Sequence, residues 1–259
     1  MKIVVCIKQV PDTTVIKINP VTGTLIRDGV PSIMNPDDKG GLEMALELKD
    51  KYGAHVTVIT MGPPQADAIL REAYAMGVDK AILLTGREFG GADTLATSHT
   101  IAAALKNLEY DLIIAGRQAI DGDTAQVGPQ IAEHLGLPQI SYVVGFDIKD
   151  GKYIVKKETE EGYQMLEVAG PALMTVLASG FKPRYMTVSG IVDAFDKPVE
   201  VWGVEKVNLP VEMLGLKGSG TKVYKSFTKG VKAAGEVHEV DAEQAVGLIV
   251  SKLKEKFII

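Results

Sequence analysis

Residues 111–136 read DLIIAGRQAIDGDTAQVGPQIAEHLG. An apolar run, Asp111 to Ala115, leads into a turn bearing glycine and aspartate, and then into a helical pattern. Asp123 stands as the expected N-cap, with Gln126 three residues on in the capping-box spacing. Gly136, followed by Pro138, marks the helix stop. A strand, a tight turn and a helix N-terminus make a phosphate site, because free N–H groups point out of the turn and the helix dipole favours negative charge. No Lys or Arg lies between Ala119 and Leu135. A phosphate bound here is therefore expected to rest on backbone N–H groups and on hydroxyls such as Thr124, with Asp121 and Asp123 turned inward. Gly122, Ala125 and Gly128 are small enough to let a ligand approach the backbone. The same turn chemistry also suits an ordinary helix start.

The stretches before it repeat the rhythm. KIVVCI (2–7), AHVTVIT (54–60) and KAILLT (80–85) read as buried strands. Asn35-Pro36-Asp37-Asp38 is a strong helix start: Asn35 as cap, Pro36 in the first turn, and two carboxylates facing the positive end of the dipole. Leu42, Ala45, Leu46 and Lys49 then share one stripe. Further helices are expected at about 65–76 and 94–108. Between the first strand and Asn35, Val15–Ile18 and Thr24–Ile26 are placed to pair as a hairpin. The alternation predicts an α/β fold, doubly wound on a mainly parallel sheet, with its ligand at the carboxyl ends of the strands.

After Pro138 the texture changes. Residues 140–170 read as an antiparallel meander, with Asp150-Gly151 as a two-residue hairpin turn and Glu161-Gly162 as another turn signal. PALMTVL (171–177) returns to a buried strand. Residues 179–202 read as a surface loop and short helix, and residues 215–236 as an extended linker. Asp241, with Gln244 three residues on, starts a final helix striped by Ala245, Leu248, Ile249 and Leu253, and Phe257-Ile258-Ile259 follows. The expected division is a nucleotide-binding domain over 1–214 and an arm plus helix over 215–259.

Composition narrows the function. The 259 residues carry a net charge of −5, which suggests neither a nucleic-acid nor a membrane-surface role. One cysteine, Cys6, excludes an internal disulfide or a zinc cluster. No run has the length of a membrane span, and the start at Met1-Lys2-Ile3 suggests a cytoplasmic protein. No G-x-G-x-x-G opens the first strand–helix unit. Four scattered histidines show no metal-ligand spacing, and no serine sits in a nucleophile elbow. No catalytic side chain is assigned. The chain reads as one that holds a nucleotide rather than one that performs residue-based chemistry.

KIVVCIKQV (2–10), DGVPSIMNPDD (28–38), AMGVDKAILL (75–84), the loop and helix from Gly116 to Pro138, and KPRYMTVSGIVDA (182–194) together resemble the β (small) subunit of electron-transfer flavoprotein over nearly the whole chain. The resemblance implies an adenine nucleotide α-hydrolase-like domain paired with an α subunit that carries the shuttling FAD. It implies a pocket for AMP in the conventional branch, or for a second FAD in the electron-bifurcating branch. It carries cofactor contacts onto Cys6, Asn35, Pro36, Asp37, Asp38 and Met61, and onto the loop Asp121, Gly122, Asp123, Thr124, Ala125, Gln126 and Val127. DGDTAQVG and Val10-Pro11-Asp12-Thr13 are similar to the bifurcating branch. That branch takes hydride from NADH and divides the electrons between the α-subunit FAD, serving an acyl-CoA dehydrogenase, and ferredoxin or flavodoxin. Asp37 or Asp38 could then face the flavin or the nicotinamide, although their place at a helix start also explains them. Arg184, Tyr185, Val188 and Ile191 fall on the family's dehydrogenase-docking segment, with Val188 where the conventional branch usually has Leu. A standalone adenine-nucleotide sensor is the reading from another class.

Overall fold

In the computed structural model, residues 1–12, 17–18, 25–26, 31–221 and 235–259 are described, with backbone alone at 17–18 and 25–26. The chain forms two compact units, Met1–Lys225 and Ser226–Ile259.

The first unit starts with β1 (Lys2–Cys6), whose side chains alternate between two cores. Ile3 and Val5 pack on one side of the sheet, Val4 and Cys6 on the other. A strand apolar on both faces belongs at the centre of a parallel sheet. Two short antiparallel pairs follow: β2 (Gln9–Pro11) with β5 (Ser32–Met34), and β3 (Lys17–Ile18) with β4 (Leu25–Ile26). The second pair is the hairpin expected there; Val15, Ile16 and Thr24 lie outside the described residues.

Then the βα rhythm sets in. It runs α1 (Pro36–Tyr52), β6 (His55–Met61), α2 (Asp67–Met76), β7 (Lys80–Leu84), α3 (Thr94–Leu105), β8 (Leu112–Gly116) and α4 (Val127–Leu135). Next come β9 (Gln139–Lys149), β10 (Lys152–Thr159), β11 (Gly162–Val168) and β12 (Ala172–Val176), then α5 (Val188–Asp196) and β13 (Val199–Trp202). Two one-turn helices, α6 (Val204–Val207) and α7 (Gly215–Gly218), follow, and the second unit carries α8 (Ala242–Glu255).

The sheet has nine strands in the order β11-β10-β9-β12-β8-β1-β6-β7-β13. From β9 to β13 all neighbours are parallel, and β10 and β11 extend that edge antiparallel. Helices α1, α2 and α5 bury one face; α3, α4 and α6 bury the other. Strand order reverses between β1 and β8, so their carboxyl ends open the crevice where such sheets take ligands.

Local chemistry explains the details. Asp150 and Gly151 both have positive φ, 50° and 74°, as a two-residue hairpin turn requires. Helix α8 begins as expected, with Asp241 Oδ1 accepting from the Gln244 amide at 2.8 Å. Val246, Ile249, Phe257, Ile258 and Ile259 are exposed.

Three expectations are corrected. Helix α4 starts at Val127, four residues beyond the expected cap. Residues 199–202, read as loop, form the edge strand β13, with Val199 opposite Ala81 and Trp202 opposite Leu84. Four residues with a glutamate among them are too short to show a strand period. The stretch from Gly215, read as linker, is packed as far as Thr221. The Leu216 amide donates to Gly90 O at 2.9 Å, and the Thr221 amide to Asp93 Oδ2 at 2.9 Å. Gly215 has φ +53°, and a Cβ there would lie 2.1 Å from Glu88 O, so its lack of a side chain serves packing rather than flexibility.

Gly116 is another glycine that close approach demands, since a Cβ on it would lie 2.2 Å from Asp38 Oδ1 and 2.6 Å from the Asp38 amide nitrogen. Gly116→Ala is expected to destabilise the chain by about 2 kcal/mol or more, as overpacking against backbone does. The measurement is the urea midpoint, which should fall with the slope unchanged. An unmoved midpoint would mean that α1 does not press on β8 as described.

Candidate functional site

The crevice is held by two buried side chains from the start of α1. Asp38 accepts the Lys8 amide at the end of β1 (2.8 Å) on one carboxylate oxygen and the Gly116 amide at the end of β8 (2.9 Å) on the other. Asn35 is fully buried. Its Nδ2 donates to Gln118 O at 2.8 Å and its Oδ1 accepts from the Ile120 amide at 3.1 Å. Asn35 occupies the N-cap position of α1, but its side chain makes no capping bond. The expected cap is instead a clamp on the loop after β8.

That loop differs from its expected form in the same way. Asp123 has φ +48°, takes a 2.8 Å hydrogen bond from Gln118 Nε2, and caps no helix. Gln126 accepts from Thr94 Oγ1 at 2.9 Å rather than closing a capping box. Ala125 also has positive φ, 53°. The amides of Gly122 and Asp123 turn back onto Ala119 O. Those of Thr124, Ala125, Gln126, Val127 and Gly128 meet no acceptor among the described residues. The second helix start at the crevice, that of α3, is closed: Asp93 Oδ1 accepts the Ala96 amide at 3.0 Å, and Asp93 Oδ2 holds Thr221. Of these two helix N-termini, α4 is thus the one open to an anion.

Cations stand nearer to the loop than the local sequence shows. Lys8 Nζ lies 2.8 Å and 2.9 Å from the two oxygens of Asp121. Arg117 Nε is 3.4 Å from Asp37 Oδ2, near enough to pair, yet without hydrogen-bond geometry, so its buried N–H has no acceptor. Asp37 Oδ1 accepts the Ala178 amide at 3.0 Å. Burial pushes the Asp38 carboxyl up to about 7; the Asn35 side chain and the Lys8 and Gly116 amides offset part of the rise, and the Asp37 charge adds to it. Burial, with the Asp38 charge second, pushes the Cys6 thiol up to about 12, so it presents an inert apolar wall.

The resulting cleft has a volume of about 1060 Å³ and runs along the carboxyl ends of β8, β1, β6 and β7. Of the candidates named from sequence, Cys6, Asp38 and Met61 line it, as do Gly122, Thr124, Ala125, Gln126 and Val127. Asn35, Pro36, Asp37, Asp121 and Asp123 stand behind this lining or beside it. Sequence reasoning missed Lys8, Arg117, the loop from Thr85 to Asp93, and Thr97, Ile101 and Thr221. Lys8 and Arg117 had a usable signal. Each lies just past a central strand, where a parallel sheet points its chain ends at the ligand.

A separate surface lies on α5. Thr187 caps it, its Oγ1 accepting the Gly190 amide at 2.9 Å. Tyr185 is 92% exposed and Val188 83%, with Ile191, Val192 and Phe195 also exposed. Arg184 is instead engaged internally. Its amide and guanidinium bind the buried Glu43, and Nη2 reaches Asp50 Oδ2 at 2.8 Å. It anchors the segment that presents Tyr185 rather than lying bare beside it.

Among the described residues, no cluster of three or more His, Cys, Asp or Glu is placed to hold a metal, and no helix is long and apolar enough to cross a membrane.

A family model described as electron transfer flavoprotein domain matches residues 22–207. Over the full length of both chains, the protein is 59% identical to an electron transfer flavoprotein subunit beta of Clostridium acetobutylicum. It is 52% identical to the caffeyl-CoA reductase-Etf complex subunit CarD of Acetobacterium woodii, again with both chains covered throughout. An acryloyl-CoA reductase electron transfer subunit gamma of Anaerotignum propionicum is 46% identical, with the same full coverage.

The Asp38 clamp has a pH signature. Its folded-state pKa lies above the value of a free carboxylate, so the folded chain keeps a proton that the unfolded chain releases. Its contribution to stability is therefore greatest in acid and is lost as pH rises through about 4 to 7, at a slope on the order of 1 kcal/mol per pH unit. Measured against Asp38→Asn, which does not titrate, wild-type stability is expected to decline between pH 5 and 7. Parallel pH–stability curves for the two proteins would show that Asp38 titrates as an ordinary carboxylate.

Proposed function

The chain belongs to the electron transfer flavoprotein family, as a chain of the β-subunit type, and from that premise we propose that it pairs with an α subunit and holds FAD in its own cleft. The carrying observation is the cleft's extent: about 1060 Å³, reaching from the open amides of α4 to the loop after β7. A dinucleotide uses that length, whereas AMP, with less than half as many heavy atoms, leaves much of it empty. The residues present suit the cofactor. The amides of Thr124–Gly128 would hold phosphate, Arg117 on the lining adds positive charge, and Cys6, Met61, Phe89 and Ile101 supply apolar walls that exclude water. When bound, FAD supplies the hydride and single-electron chemistry. In this reading the hydride comes from NADH, one electron passes to the α-subunit FAD and an acyl-CoA dehydrogenase, and the other passes to ferredoxin or flavodoxin.

The chain's own part is to bind, orient and shield. Asp38 keeps β1 and β8 at a fixed spacing under the cofactor, and Asn35 fixes the loop that carries the amides. The exposed apolar side chains of Tyr185, Val188 and Ile191 form the docking face for the dehydrogenase, with Arg184 as its anchor. Two relatives are named for reductases of CoA esters, which supports a partner of that class. The bare apolar residues of α8 and the tail suit contact with the α subunit. A second reading, AMP in the same cleft, is favoured by the amides themselves, since one contiguous cradle serves a single phosphate as well as a pair.

Acid extraction of the purified heterodimer separates the two readings. Two FAD and no AMP per heterodimer is the expected result, and one FAD with one AMP would replace the bifurcating assignment by the conventional one. A second check uses Gly122, where a Cβ meets nothing within 4 Å, so a side chain fits without disturbing the fold. Gly122→Glu is expected to fold normally and to lose nucleotide retention about tenfold or more through charge repulsion at the cradle. Full retention in that variant would put the phosphates elsewhere.

A further inference from the structure

The loop that offers its amides to an anion carries an acidic residue that should repel one. Asp121 lies three residues before the first open amide, that of Thr124. Its charge is answered by Lys8, whose Nζ sits 2.8 Å and 2.9 Å from its two oxygens. The main chain of Lys8 is fixed, because its amide donates to Asp38 Oδ2 at 2.8 Å. Only the side chain can travel, and it lines the cleft. Lys8 and Asp121 keep 47% and 33% of their side-chain surfaces exposed. A pair so wet is worth only about 0–1 kcal/mol, so a phosphate competes for the ammonium with ease. The other floor pair, Arg117 with Asp37, is built differently. Asp37 is 15% exposed and anchored by the Ala178 amide, so that carboxylate cannot leave.

On the reading that the cleft binds a nucleotide, we propose that Lys8 and Asp121 form an exchangeable ion pair that sets the anion affinity of the cradle. Lys8 holds Asp121 while the cradle is empty and passes to the ligand's phosphate when it fills. Asp121, left unpaired, then opposes the bound charge and keeps affinity below what the amides and Lys8 alone would give. Asp121 is thus a specificity-determining residue that disfavours ligands crowding several charges at the loop, and Lys8 is a phosphate contact that comes from β1 rather than from the loop.

The test uses the heterodimer stripped of nucleotide and titrated with FAD, and separately with AMP, by equilibrium dialysis at low and high KCl. Asp121→Asn is expected to tighten FAD severalfold, and Lys8→Gln to weaken it about tenfold, the size of one lost charge-assisted hydrogen bond. The salt response carries the sharper signature, because screening weakens attraction and repulsion alike. Wild type trades one ion pair for another, so its affinity should hardly change with KCl. Affinity in Asp121→Asn should fall with KCl, and in Lys8→Gln it should rise. A pair that merely braces the loop predicts weaker binding in both variants with salt responses of one sign, and that result overturns the exchange while leaving the nucleotide cleft intact. A wild-type heterodimer that takes up neither FAD nor AMP overturns the cleft reading and the exchange together.

Discussion

One carboxylate organises the carboxyl edge of the sheet. Asp38 reaches from the first turn of α1 to the amides that end β1 and β8, the two strands between which the winding reverses. A switch point is a place where helices diverge to opposite faces and leave chain ends without partners. There, buried amides must find acceptors or lose about 1–3 kcal/mol each. Asp38 supplies both acceptors from one side chain. Gly116 is bare so that the carboxylate can come that close, and the lifted acidity of Asp38 is the electrostatic consequence of burying it there. Asn35 extends the same device by one turn of chain, fixing Gln118 and Ile120 and so the path of the loop beyond.

With its path fixed from outside, the loop needs no internal capping. Asp123 and Gln126, which from sequence look like the two halves of a cap, are both turned to other partners. The amides that Asp123 would have satisfied are left open toward the cleft, while its own amide turns back onto Ala119 O. The contrast with α3 is instructive, because Asp93 there does cap, and it also receives the chain at Thr221. Two helix starts of similar composition at one crevice are thus divided by hydrogen bonding into a closed end and an open one, and only the open one can take an anion.

The alternation of strands and helices, the parallel sheet and the place of the crevice were legible because they depend on period and chain order. Val4 and Cys6 face one core, Ile3 and Val5 the other, as a doubly buried strand must. The start of α4 was misread because a capping box is one local pattern among several: Gln118, five residues back, takes Asp123, and Thr94, more than thirty residues away, takes Gln126. Lys8 escaped for a similar reason: its partner, Asp121, is 113 residues distant, and no window along the chain joins them. Strand β13 was lost because it is short and its pairing with β7 is settled only in the assembled sheet. What sequence leaves out here is mostly the long-range hydrogen bond.

The same helix that carries Asp38 also fixes the distant α5 surface. Glu43 of α1 is buried and bound by the amide and guanidinium of Arg184, and Asp50, two turns further on, takes the other side of that guanidinium. Removing Arg184 would strand the Glu43 carboxylate, whose side chain is only 5% exposed, so the link resists being broken from that side. From Arg184 the chain passes through the exposed Tyr185 to Thr187, the cap of α5, and α5 itself packs on α2 through Gly190, where a Cβ would lie 2.6 Å from Ala75 O. The cleft and the α5 face are therefore two ends of one rigid element rather than two loops free to move apart. Arg184 thus ties the start of α5 to α1, and Tyr185, Val188 and Phe195 stand exposed on the surface that it holds at a set distance from the cleft.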